Sequence, residues 1–263
     1  MPHYQPSPGY LEGRAILVTG AGDGLGRAAA RAYARSGAEV ILLGKTVAKL
    51  ESVYDEIVAS GGPEPAVYPL DLSGASARDY RDLAENIRGQ IGHLEGILHN
   101  AAVLELLTPL AFHPADIWER TLRANLTAPF LLTQACLPLL TAAADAAILF
   151  TSDECAVTAK GYWGAYGASK AGVTNLALMW ARELSDTAIH VHALDPGPAR
   201  TGMRLRTHPG APLSSWPEPD ALMPAYVRFM GPDGAGDGHD WVRAVEWMDA
   251  AGDAQTVLKS GIR

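Results

Sequence analysis

The chain has 263 residues, 48% apolar and 19% charged, enough for one large α/β domain with a sizeable core. A net charge of −8 without any run of Lys or Arg argues against nucleic acid or an anionic membrane as a partner. Residues 1–14 lack a charged segment leading into an apolar one, no apolar run is long enough to span a membrane, and the two cysteines, Cys136 and Cys155, make no disulfide framework. The expected setting is therefore a reducing cytoplasm, with no membrane contact.

Residues 2–13 hold three prolines and two glycines and read as an irregular arm. Residues 14–19 are a short apolar run suited to a buried parallel strand, and a glycine cluster from Gly20 to Gly26 follows. An alanine-rich helix over 27–36 stops at Gly37, and 38–43 form a second strand. The alternation continues with a helix over 47–60, a strand over 66–70 closed by Asp71, a helix over 76–90, and a strand over 94–99 closed by Asn100. A long helical region over 114–141, bent near Pro129, precedes a strand over 146–151. A helix over 163–184 and a strand over 189–194 come next, then Asp195-Pro196-Gly197. Residues 202–219 read as a loop rich in Pro, Gly and Ser, 221–230 as a short helix, and 239–245 as a last strand.

Strands alternating with helices predict a single doubly wound α/β domain of Rossmann type, with a mostly parallel seven-stranded sheet covered by helices on both faces. That domain spans 1–263: an arm over 1–13, a substrate loop or lid over 202–230, and a C-terminal segment over 231–263.

A strand, a glycine cluster and a helix in succession suit a phosphate, because glycines let the backbone approach it and the helix start offers free N–H groups. The spacing here is Thr19-Gly20-x-x-x-Gly24-x-Gly26, not G-x-G-x-x-G. An acid at the end of the second strand would hold a ribose 2′-hydroxyl. Gly44 stands there instead, followed by Lys45, which can pair with a 2′-phosphate and favours NADP(H) over NAD(H). Asp23 in the glycine turn adds an opposing negative charge.

Tyr166 and Lys170 are four residues apart, on one helix face. A nearby ammonium favours the phenolate and makes such a tyrosine a proton donor or acceptor near working pH. Alone, the pair is more often a solvated surface pair. Its company changes that: the glycines at 20, 24 and 26, Asp71, His99-Asn100-Ala101-Ala102, Asn125, and Pro196-Gly197 with Thr201 occur in order.

With these motifs the chain resembles the classical short-chain dehydrogenase/reductase family over residues 10 to about 200, and a bacterial branch of oxidoreductases without an assigned substrate. Ala102 replaces the last glycine of the family's N-N-A-G. The resemblance implies cofactor contacts from Gly20, Asp23, Gly24, Leu25, Gly26, Lys45, Asp71, Leu72, Asn100, Ala101, Tyr166, Lys170, Pro196, Gly197 and Thr201. It implies a small carbonyl or alcohol substrate, and a homodimer or homotetramer formed through the helices near 127–140 and 165–178. Asn125 would support a relay to Lys170, and Tyr166 would move the proton.

The family's catalytic serine lies thirteen residues before its tyrosine, and here that position is Asp153, with Ser152 one residue earlier. Adjacent side chains of an extended segment point to opposite faces, so Ser152 would need a bulge or slip to reach the site. The expectation is an NADP(H)-dependent oxidoreductase, passing hydride between nicotinamide and a carbonyl or secondary alcohol, with Asp153 at the serine's position. The alternative is a cofactor-binding regulator or scaffold with little turnover. Asp153-Glu154 without a nearby histidine, and His190 with His192 on one strand face, make no metal site. Arg204, Arg206 and His208 in the lid are candidates for an anionic substrate group.

Overall fold

The structure is a computed structural model that describes residues 6–237 and 241–250. Seven strands form one sheet: β1 (Ala15–Thr19), β2 (Glu39–Gly44), β3 (Ala66–Pro69), β4 (Gly96–His99), β5 (Ala146–Thr151), β6 (Ile189–Asp195) and β7 (Trp241–Arg243). Their order is β3-β2-β1-β4-β5-β6-β7 and every pairing is parallel. The expected doubly wound architecture is the one observed. Sequence order reverses between β1 and β4, where the two connections diverge to opposite sides and leave a crevice at the carboxyl ends.

The strands are accompanied by helices α1 (Gly24–Arg35), α2 (Val47–Ala59), α3 (Ala77–Gln90), α4 (Ala115–Leu122), α5 (Ala128–Ala142), α6 (Cys155–Thr158), α7 (Gly164–Glu183), α8 (Gly202–Thr207) and α9 (Met223–Met230). Strand side chains alternate between two cores. Ile16 and Val18 join Tyr33, Leu50, Tyr226 and Phe229 beneath α1, α2 and α9. Leu17 joins Tyr80, Leu83, Leu132 and Val173 beneath α3, α5 and α7. Both faces of the inner strands β1, β4 and β5 are thus buried, which is why they read as unbroken apolar runs.

Three expectations are adjusted. The long helical region is interrupted at Arg123–Thr127 by a π-helical turn between α4 and α5, which ends two residues before Pro129. Pro129 lies in the first turn of α5, directly after that π-helical turn. Within the loop expected over 202–219, α8 forms because the Thr201 hydroxyl accepts from the Arg204 N–H at 3.2 Å and caps it. Of the last strand, residues 239 and 240 lie outside the described residues, 241–243 are strand, and 244–250 are helical. The ends of the arm and of the C-terminal segment, 1–5 and 251–263, also lie outside the described residues. Among the described residues, no helix is long and apolar enough to cross a membrane.

His99 ends β4 deep in the core, stacked on Phe150 at 4.5 Å and hydrogen-bonded to the Thr133 hydroxyl at 2.8 Å. Burial lowers its pKa to about 3. The folded state therefore binds fewer protons than an unfolded chain with an ordinary histidine near ~6.5. The stability it contributes is present above that pH and falls by about 1.4 kcal/mol per pH unit as acid is added towards pH 3. Urea unfolding midpoints across this window are expected to fall less steeply in His99→Gln, which keeps a polar partner for Thr133 but has no imidazole.

Candidate active site

A cleft of about 1160 Å³ follows the carboxyl ends of the strands. It exceeds the roughly 300–1,000 Å³ of an ordinary small-molecule pocket and suits a dinucleotide together with a substrate. One end is lined by Gly20, Asp23, Gly24, Leu25, Lys45, Asp71 and Leu72. Asn100, Ala101, Pro196, Gly197 and Thr201 line the middle stretch, and Ser152, Asp153, Tyr166 and Lys170 also line the cleft. Gly26 and Asn125 stand behind the wall rather than on it.

The glycine turn fits a closely approaching cofactor phosphate. Gly20 and Gly24 have φ of +67° and +51°, in the region that favours glycine. A Cβ on Gly26 would lie 2.2 Å from the Gly20 carbonyl oxygen and 2.6 Å from Asn100 Nδ2, so no side chain fits. The Thr19 hydroxyl ties this turn to the end of β4. It donates to the Leu98 carbonyl at 3.2 Å and accepts from the N–H groups of Asn100 and Ala101, both at 3.0 Å.

At the other end, α7 presents Tyr166 and Lys170 on one face, 5% and 4% exposed. The Lys170 Nζ donates to the Thr151 carbonyl at 2.6 Å and lies 5.7 Å from the centre of the Tyr166 ring. The Tyr166 hydroxyl donates to Asp153 Oδ2 at 3.0 Å. Ser152 lies just past β5, its N–H donating to the Leu194 carbonyl at 2.8 Å, and its hydroxyl shares a 2.7 Å hydrogen bond with Thr174. Asn125 sits on the π-helical turn, a common device at functional sites. Its amide exchanges hydrogen bonds with the Val103 backbone at 2.7 and 2.9 Å and donates to Ser169 on α7 at 3.0 Å.

These positions correct the reading of Asp153 as a replacement for the serine. Ser152 stands in the cleft with Tyr166 and Lys170, and Asn125 braces the same helix, so the set Asn125–Ser152–Tyr166–Lys170 is intact. Asp153 is an addition to it. Strict alternation fails as a guide because the chain leaves β5 after Thr151 and turns into α6, so both side chains border the cleft. The Asp153 Oδ1 accepts from the Cys155 N–H at 2.8 Å at the start of that turn. With the serine in place, the main reason for reading the chain as a regulator without turnover is gone.

The electrostatics also differ from expectation. Burial, and then the Asp153 charge, hold the Tyr166 phenol well above its usual range. Burial lowers the Lys170 ammonium, with Asp153, Cys155 and Asp195 opposing. The ammonium was expected to pull the phenol down; in the folded protein, desolvation and the carboxylate outweigh it. Asp195 is itself raised by burial, with its Oδ1 accepting from the Gly197 N–H at 2.9 Å.

Sequence reasoning missed three residues here. Thr174 holds Ser152 and continues the Tyr166/Lys170 face by another turn, a spacing of four that was available. Ser73 binds the Asp71 carboxylate through its N–H and hydroxyl at 3.0 and 2.7 Å. Lys49 reaches Asp23 across the glycine turn at 2.5 Å. The lid charges have aromatic neighbours: Arg204 lies 5.1 Å from the Trp216 ring centre, and His208 packs near Trp163 and Trp216 at 6.2 and 6.1 Å. His190 is engaged by Asp145 at 2.8 Å. Among the described residues, no group of three or more His, Cys, Asp or Glu is placed to hold a metal ion.

A dinucleotide crevice ending in this tetrad defines an NAD(P)-dependent oxidoreductase. The chain belongs to the short-chain dehydrogenase family, whose model matches residues 14–210. It is 38% identical over 231 residues to the oxidoreductase YciK of Escherichia coli K12, described as uncharacterized, covering 88% of this chain and 91% of that one. A short-chain dehydrogenase structure from Pseudomonas syringae is 42% identical with a TM-score of 0.88, covering 93% of this chain and all of that one. Another, from E. coli CFT073 and complexed with NADPH, is 36% identical with a TM-score of 0.87, covering 91% and 99%.

Proposed function

We propose that the chain prefers NADP(H) to NAD(H) and acts on a small carbonyl compound or its secondary alcohol. The observation that carries this is the convergence of Tyr166 and Lys170 on a cleft whose far end has Gly44 where an acid would select NAD, with Lys45 beside it. The NADPH complex of the E. coli relative supports the cofactor choice. The bound nicotinamide would supply the hydride.

The remaining tasks fall to this chain. Lys170 would hold the nicotinamide ribose, Ser152 would orient the substrate oxygen, and Tyr166 would give it a proton. Burial and then Asp153 keep this phenol protonated, the form that a proton donor to the substrate oxygen must have. Asn125 would keep the loop after β4 and α7 in register. A cytoplasmic homodimer or homotetramer completes the reading, supported by Phe130 on α5 and Met179 on α7, exposed at 39% and 44%.

The test is a fluorescence titration with NADPH and NADH, followed by NADPH consumption against a panel of aldehydes and ketones. Tighter NADPH binding and turnover of at least one carbonyl are expected. Binding of neither nucleotide would overturn the proposal.

A further inference from the structure

Lys49 is placed against the electrostatics of its own helix. It lies in the first turn of α2, where the positive end of the helix disfavours a cation. Its recorded ion-pair partner is Asp23, in the glycine turn. That carboxylate is doubly used: Oδ2 takes the lysine at 2.5 Å, and Oδ1 accepts from the Gly24 N–H at 2.8 Å at the start of α1. Gly22 keeps the two segments together, because a Cβ there would fall 2.8 Å from the Lys49 Cβ. Gly22, Asp23, Lys45 and Lys49 all line the adenosine end of the cleft.

We propose that Lys49 is a second ligand of the cofactor's 2′-phosphate beside Lys45, held by Asp23 until that phosphate arrives and then transferred to it. The proposal rests on the NADP(H) reading above. The exchange is favourable because the existing pair is weak. The lysine and aspartate side chains are 54% and 70% exposed, and exposed ion pairs contribute little. A phosphate monoester carries nearly two negative charges and forms stronger, charge-assisted hydrogen bonds. Asp23 thereby has two effects. It repels the phosphate, and it positions the lysine that neutralises it.

The experiment is a fluorescence titration of NADPH and NADH with the full chain, wild type, Lys49→Met and Asp23→Asn, each first checked for an unchanged melting temperature. Lys49→Met is expected to weaken NADPH about 10-fold and NADH less than about twofold, since NADH has no 2′-phosphate. Asp23→Asn is expected to tighten NADPH more than NADH, and the gap should narrow as salt is added. An unchanged NADPH affinity in Lys49→Met, or equal losses for both nucleotides, would show a surface ion pair only and overturn the inference. It would leave the cofactor reading standing, whereas wild type binding neither nucleotide would remove both.

Discussion

Tyr166→Phe is expected to lower kcat for carbonyl reduction by roughly 10²–10⁴-fold, the usual contribution of a positioned general acid. The substitution keeps the ring, which packs against Trp163 at 5.6 Å, and deletes only the hydroxyl that donates to Asp153. NADPH affinity should therefore hold while turnover collapses. Retention of more than about a tenth of the wild-type kcat would exclude this phenol as the acid. Asp153→Asn gives the complementary reading. With the phenol held high by burial and then by the Asp153 charge, the enzyme should stay active far into the alkaline range. Removing that charge lets the phenol ionise at lower pH, so the alkaline limb of kcat/KM is expected to move towards neutrality.

Lys170→Met should separate stability from activity. The amine is 4% exposed, and burial lowers its pKa. The folded state therefore resists protonation relative to an unfolded lysine near ~10.4, and this group's contribution to stability improves as pH rises from the lowered value towards that one. At neutral pH a charged Lys170 costs stability, and an apolar side chain of similar length should raise the melting temperature. The same change removes the amine that faces the Tyr166 ring and is proposed to orient the nicotinamide ribose, so kcat/KM is expected to fall by about 100-fold or more. Because the two side chains act together, the double variant with Tyr166→Phe should lose little beyond the larger single loss. Additive losses would mean that they serve separate steps.

The architecture was legible because a sheet buried on both faces writes itself as apolar runs such as residues 14–19 and 146–151, with helices of ordinary length between them. The tyrosine and lysine were legible for a different reason: a spacing of four on a helix fixes relative direction without any knowledge of the tertiary fold. Ser152 and Asp153 were not, because they lie just past the last paired residue of β5, where alternation ends and the local turn decides where each side chain points. The π-helical turn at Arg123–Thr127 was not legible because such a turn has no composition of its own, whereas Pro129 has a conspicuous one. Lys49 was overlooked because its meaning depends on Asp23, twenty-six positions away and adjacent only after folding.

The three hydrogen bonds of the Thr19 hydroxyl carry a consequence for how ligand is taken up. They join the two halves of the sheet at the floor of the crevice through protein atoms alone. Nucleotide would meet a preorganised floor, and the entropy of ordering it would already have been lost during folding. Amide hydrogens at Asn100 and Ala101 should exchange slowly before any nucleotide is added, and association should proceed as rigid docking at this end of the cleft.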